Sequence, residues 1–437
     1  MVRRVVSSWG NVIRQSQEVL PVTDRTADWP ALPTGQSALP HGNGRSYGDS
    51  CLNPGGALLV TRALDRFIGF DPALGVLTCE AGVLLADITE LALPHGWFLP
   101  VTPGTAFVSV GGAIANDVHG KNHHGAGTFG RHVQRFELLR SSGARLQCSR
   151  EGNPGLFAAT IGGLGLTGLI TWAEIQLKPV AGPLMDVETL RFGDLTEFAG
   201  LSAESDRSFE YTVAWIDCLA RGRQLGRGVL QRANHSPEPA PRSVRSARRF
   251  GVPFTPPISC INAVSLRVFN YAYYHLHPLR SQANQHFAPF FYPLDSVQNW
   301  NRLYGPRGFY QYQCVVPGSD AARATAKLLV TIAASGMGSF LAVLKHFGPL
   351  ESLGMLSFPQ EGLTLALDFP NRGATLERLF VELDAIVTDA GGRLYAAKDG
   401  RMSARLFQSG YPRWQEFSRH IDPACSSGFW RRVMEQL

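Results

Sequence analysis

The chain has 437 residues, 44% of them hydrophobic and 17% charged, with a formal net charge of +6 at pH 7. That length exceeds what one hydrophobic core serves and predicts two or three domains, while the apolar content excludes a disordered chain. The basic excess is too small to point to nucleic acid and suits an anionic small molecule or an anionic membrane surface.

The first residues, MVRRVVSSWGNVIRQSQ, are basic but carry no apolar h-region, and no run of 18 apolar residues follows. Neither a secretory signal nor a transmembrane helix is therefore expected, and the expected location is the cytoplasm or the face of the inner membrane. The seven cysteines form no C-x-x-C pair and are odd in number, which predicts reduced thiols rather than a disulfide framework or a zinc site.

Residues 35–180 read as short strands broken by glycine turns. ALLVTRAL, GVLTCEAG and LTGLITWAEIQLKP have strand composition or alternation, and LLADITELALPHG has helical spacing that stops at Pro94 and Gly96. Three glycine loops punctuate this stretch. The first is HGNGRSYGDS, residues 41–50, where absent Cβ atoms leave backbone N–H groups free to form an anion nest. The second, PVTPGTAFVSVGGAIANDVHGKNHHGAGTFG, places Gly111 and Gly112 at the opening of a short apolar helix, a favourable place for phosphate. His119, His123 and His124 crowd the same loop. A metal site is the weaker reading, because no carboxylate or thiol accompanies them at ligand spacing. The third loop, GLGLTG at 163–168, matches the dinucleotide fingerprint in letters only: a strand-like run follows it where a helix is required. One phosphate needs one loop, whereas three loops suit a long diphosphate cofactor.

The character shifts after Pro179. FEYTVAWIDC, GFYQYQCVVP and LTLALDFP read as sheet strands, and DAARATAKLLVTIAAS and ATLERLFVELDAIVTDAGG as amphipathic helices. This order predicts an α+β domain with helices on one face of a mainly antiparallel sheet. Residues 234–257, with six prolines and four arginines, read as a long mobile loop that covers a site or meets lipid head groups. Three segments are expected: 1–179, a cap over 180–390, and a return of 391–437 to the first domain.

Beyond these readings, GNGRSYGD, PGT…GGAIANDVHGKNHHGAGTFG and GGLGLTGLI resemble the FAD-binding domain of the vanillyl-alcohol-oxidase (PCMH) type. With SWG, FYPLD…WNRLYGPRGFYQYQCVVP, LKHFGP, LSFP, DFP, GGRLYAAKDGR and YPR, nearly the whole chain is similar to the family of flavoenzymes that oxidise a polyprenyl-phosphoryl-β-D-ribose at its 2′-hydroxyl. The resemblance implies a two-domain α+β fold and FAD as cofactor. Gly42, Asn43, Gly44, Arg45, Ser46, Tyr47, Gly48 and Asp49 would form the first pyrophosphate loop. Pro103, Gly104, Thr105, Gly111, Gly112, Asn116, His119 and Asn122 would line the flavin, with Gly168 and Ile170 on its adenine side. Tyr47 stands where relatives with covalent flavin carry histidine, which implies non-covalent FAD. Gln313, Lys345, Tyr292 and Thr364 would line the substrate pocket, with Lys398 and His119 catalytic. Ala366 stands where relatives trapped by covalent inhibitors carry cysteine, so those inhibitors would form no bond here. Implied partners are a lipid-linked phosphoribose, a short-chain NAD(P)-dependent reductase and the membrane surface. Two rival readings are a soluble sugar-alcohol or aldonolactone oxidase and a flavin-free phosphoglycan-binding protein.

Overall fold

The computed structural model describes residues 2–238 and 250–434. Its first sheet has four strands, in the order Val2–Ser7, Arg14–Pro21, Ala57–Val60 and Ala38–His41. A five-stranded antiparallel sheet follows, in the order Phe67–Asp71, Val76–Glu80, Leu169–Gln176, Val133–Leu139 and Arg145–Ser149. The strand Leu169–Gln176 directly after GLGLTG confirms that this motif opens no helix.

The third sheet is antiparallel and has eight strands, in the order Arg280–His286, Leu184–Phe192, Gly228–His235, Tyr211–Ile216, Ala342–Phe347, Gly362–Pro370, Phe309–Pro317 and Arg393–Leu394. Its period-two alternation assigns the two faces. Tyr312, Cys314, Leu365, Leu367 and Leu344 enter the main core against the helices Leu195–Ser208, Ala321–Ser335 and Ala374–Asp389. Gln311, Gln313, Thr364, Ala366 and Lys345 therefore share the opposite face, and the register pairs Gln313 with Ala366 and Lys345 with Thr364. The mixture of helices and antiparallel sheet is α+β, as expected.

Three expectations change in detail. The helix in the second glycine loop is Val110–Ala115, capped by Ser109, and does not open at Gly111. His123 and His124 start a short helix, His123–Ala126, rather than sitting in a loop. Of the proline-rich stretch 234–257, Asn234 and His235 complete a strand and Phe250–Gly251 pairs in parallel with Val297–Gln298, while 239–249 lie outside the described residues.

The C-terminal segment reaches back to the start of the chain. Ala38 N–H donates to Ala424 O at 2.7 Å, and the Arg432 guanidinium pairs with Asp49 at 2.6 Å and Asp399 at 3.0 Å. Arg393–Leu394 nevertheless pairs with Phe309–Pro317, so the large sheet continues past residue 390. At the N-terminus, Trp9 N–H donates to Ser46 O at 2.9 Å and Phe309 N–H to Gly10 O at 2.8 Å, tying the first glycine loop to a cap strand.

Candidate active site

Between the large sheet and the two smaller ones lies a cavity of about 890 Å³. The glycine loops form one side and the polar face of the large sheet the other. Residues 42–47, 103–105, 111, 112, 116, 168 and 170 all reach it, as do His119, Gln313, Lys345, Thr364 and Lys398.

The first loop fits a diphosphate. Among the described residues, the main-chain N–H groups of Asn43, Gly44, Arg45 and Ser46 find no partner, while their side chains hold the loop in shape. Asn43 Nδ2 donates to Phe107 O at 2.7 Å, and the Arg45 guanidinium donates to Asn43 O and lies 4.5 Å from the Trp9 ring. Gly44 has φ of +61°, a conformation that glycine adopts without cost. A Cβ on Gly42 would stand 2.2 Å from Ser109 Oγ. In the second loop the phosphate expectation is corrected: Val110 N–H is spent on Val83 O, Gly111 N–H on Ala81 O and Gly112 N–H on Ser109 Oγ. Gly111 is there for close packing, since a Cβ would come 3.1 Å from that of Ala81.

Lys398 is half-buried, with Nζ 3.9 Å from the centre of the Tyr47 ring. Burial lowers its pKa, and the neighbouring Asp368 carboxylate opposes that shift. Asp368 is itself fully buried, which raises its pKa, and it accepts from Gln311 Nε2 at 2.6 Å. Gln311 also bonds the Tyr47 hydroxyl, so Tyr47, Gln311, Asp368 and Lys398 form one polar cluster in the cavity wall.

His119 forms the second cluster. Its Nε2 is 3.0 Å from Gln313 Nε2 and its Nδ1 is 3.2 Å from Lys345 Nζ. Burial first, and then the positive charge of Lys345, holds its pKa well below the usual imidazole value. A neutral imidazole has one N–H, so two contacts to nitrogen require either a neutral Lys345 amine accepting from Nδ1 or a Gln313 amide turned to present its oxygen. Burial, assisted by Lys398, brings Lys345 down to about 7, which makes its neutral form accessible near neutrality. Thr364 Oγ1 donates to Cys314 O at 2.9 Å and fixes the floor beside Gln313.

Four expected site residues stand behind the wall. Gly48 presses on the backbone of Asp399, with space for no Cβ, and Asp49 is held by Arg432. Asn122 donates to Pro100 O at 2.8 Å and shapes the loop from within. Tyr292 is buried with its hydroxyl 2.8 Å from Thr102 Oγ1, and its neighbours Phe291 and Pro293 reach the cavity instead. Conversely, the wall gains Lys121 and Gln311, and Asp368 acts on the site from the strand beside Gln311. The Lys121 amine lies 4.3 Å from the Phe290 ring and bonds Phe290 O, and burial brings its pKa down to about 7. The sequence signal for Asp368 was a lone carboxylate inside an apolar strand, on the same face as Thr364 and Ala366. Among the described residues no group of three His, Cys, Asp or Glu side chains gathers as metal ligands.

Comparison with known proteins agrees with this geometry. The FAD binding domain family model matches residues 31–149. The decaprenylphosphoryl-beta-D-ribose oxidase of Mycolicibacterium smegmatis is 36% identical over 433 residues, covering 95% of this chain and 94% of that protein. A Streptomyces coelicolor protein described only as uncharacterised, from the mprA 5′ region, is 37% identical over 78% of this chain and 96% of its own length. The L-gulonolactone oxidase of Mus musculus is 30% identical, but over only 32% of this chain and 31% of its own. The likeness to the last is confined to a third of the chain, whereas likeness to the first runs through flavin loops and cap alike, so this chain belongs to the decaprenylphosphoryl-β-D-ribose oxidase family and carries its FAD-binding domain.

Proposed function

We propose that the chain oxidises the 2′-hydroxyl of a polyprenyl-phosphoryl-β-D-ribofuranose to the 2′-keto sugar, with FAD as electron acceptor. The observation that carries this reading is the convergence of three half-buried lysines, Lys121, Lys345 and Lys398, on a glycine-lined cavity. Burial destabilises each ammonium; at Lys121 and Lys345 a bound phosphodiester anion offsets that cost, while Lys398 is left to act in its neutral form. The whole-chain likeness to a ribose oxidase supports the same substrate class over free polyols or aldonolactones.

FAD, when bound, supplies the sink for the hydride that leaves sugar C2. The chain must take the hydroxyl proton as that hydride departs. Lys398 in its neutral form is the proton acceptor in this reading. His119 is too weak a base for that task, because its burial opposes imidazolium formation. It serves as the hydrogen-bonding wall that orients the sugar with Gln313 and Lys345. Thr364 shapes the pocket floor. The flavin is held without a covalent bond, since Tyr47 offers no imidazole nitrogen. The keto product keeps its lipid phosphate, so a short-chain NAD(P)-dependent reductase returning hydride to the opposite face of C2 yields the arabino epimer.

The test is anaerobic mixing of the FAD-loaded protein with a short-chain prenylphosphoryl ribose, followed at the flavin absorbance and by product mass. Bleaching with loss of two hydrogens from the sugar supports the reading. Bleaching by free polyols or aldonolactones alone replaces it with the soluble-oxidase reading. A protein that takes up no FAD overturns both.

A further inference from the structure

The helix Ala263–Leu276 has two unlike faces. Leu266 and Asn270 are buried, and Asn270 Nδ2 donates to Asp217 Oδ1 at 2.8 Å. Phe269 and Tyr273 line the cavity, Phe269 packing 4.7 Å from the Phe340 ring and Tyr273 4.5 Å from that of Trp215. On the outer face, Val264, Val268 and Tyr271 form a stripe at helical spacing with 71%, 65% and 62% exposure. Leu276 in the last turn and Leu279, Ile258 and Phe254 in the flanking segments are each at least two-thirds exposed as well. A water-facing helix does not ordinarily carry such a stripe, so the surface calls for a cover.

Charge identifies the cover. Over the described residues 250–294 the charged side chains are Arg267 and Arg280, with no aspartate or glutamate, and Arg280 is paired with Glu188. Arg267 is exposed between Val264 and Val268 on the helix itself. A two-fold contact between copies of this chain would set the patch against itself, arginine facing arginine. An anionic bilayer satisfies both features, because acyl chains take the apolar stripe and head groups take Arg267.

We propose that the outer face of Ala263–Leu276, with Ile258 and Leu279, docks on an anionic lipid bilayer and sets the apolar wall of the cavity against the membrane. The inference rests on the lipid-linked substrate proposed above and adds the surface by which the enzyme reaches it. The sugar phosphate enters the lysine-lined cavity while the polyprenyl chain runs past Phe269 and Tyr273 into the acyl layer.

The test is flotation of the FAD-loaded protein with vesicles of equal parts phosphatidylcholine and phosphatidylglycerol, and with phosphatidylcholine alone. The double variant Val264→Glu/Val268→Glu is compared with wild type, and turnover of a water-soluble short-chain substrate is measured in parallel. Neither valine touches the cavity. The expected result is salt-sensitive binding to the anionic vesicles, lowered about tenfold or more in the variant, with flavin spectrum and short-chain turnover unchanged. Wild type that floats with neither vesicle, or a variant that binds as wild type does, overturns the docking surface. A wild-type dimer that the double variant dissolves assigns the stripe to a second copy and overturns it equally. Membrane binding without turnover of the phosphoribose would defeat the proposed function and leave the surface standing.

Discussion

Lys398 and Tyr47 lie at opposite ends of the chain, yet the lysine amine stands 3.9 Å from the centre of the tyrosine ring. The contact exists because Tyr47 N–H donates to Ala397 O at 2.9 Å, which binds the first glycine loop to the segment carrying the lysine. One residue of the pair comes from the first glycine loop and the other from the segment that follows the helix Ala374–Asp389. Replacing Lys398 with alanine removes the proposed proton acceptor and leaves the loop contact intact, because that contact is made by backbone. The variant is expected to retain FAD and lose turnover by about 10²–10⁴-fold. Wild-type turnover in Lys398→Ala would remove the lysine from the mechanism.

The same pair bears on how flavin is held. Tyr47 is packed edge-on against Phe309 at 5.5 Å, and its phenol lacks a nucleophilic ring nitrogen. Acid precipitation of the yellow protein is expected to release all colour to the supernatant. Colour retained in the pellet would show a covalent link made elsewhere.

Burial and the Asp368 carboxylate act in opposite directions on the proton affinity of Lys398, burial having the larger effect. The carboxylate favours the ammonium form, opposing the effect of burial. Asp368→Asn removes that opposition, so the lysine loses its proton more readily. The acid limb of kcat/KM, which rises as the base deprotonates, is expected to move to lower pH. Loss of activity with an unmoved limb would reduce Asp368 to a packing role.

Lys121 yields a stability prediction of definite sign. Its pKa is lowered from 10.5 to about 7 in the folded protein. Between those values the unfolded chain binds the additional proton, so stability rises with pH across that window. The contribution is about 1.4 kcal/mol per pH unit for one such group. In the flavin-free protein, the difference in unfolding free energy between wild type and Lys121→Met is expected to change in favour of wild type from pH 7 to pH 10. A pH-independent difference would show that Lys121 is not desolvated.

Two glycines separate fold from cofactor. A Cβ on Gly48 would meet Asp399 O at 1.6 Å, with backbone on both sides that cannot yield, whereas a Cβ on Gly104 would meet nothing within 4 Å. Gly48→Ala is expected to cost about 3 kcal/mol or more. Gly104→Ala is expected to unfold at the wild-type denaturant midpoint when flavin-free and to bind FAD more weakly, because Gly104 faces the cavity. Thermal unfolding and FAD titration of both variants distinguish the two roles.

The motifs of the site were legible because glycine loops and alternating strands are local patterns. Gln313 and Thr364 sit in strands whose period two can be counted in the letters, and Lys398 sits in a short run of distinctive composition. Local pattern misplaced the N–H groups of Gly111 and Gly112: the first is consumed by the distant Ala81 carbonyl and the second by the helix N-cap, Ser109. It misplaced Tyr292 as well, since only packing decides whether that ring or its neighbours face the cavity.

The sequence by itself determined the α+β elements, the glycine loops and the identity of the polar groups, for these depend on backbone freedom and on the side-chain period along one segment. Tertiary structure alone decided that Tyr47, Gln311, Asp368 and Lys398 form one cluster, and His119, Gln313 and Lys345 another. Strand register and chain return bring those groups together, and burial then shifts their proton affinities. Neither register between distant strands nor the desolvation it creates is written in any single stretch of residues.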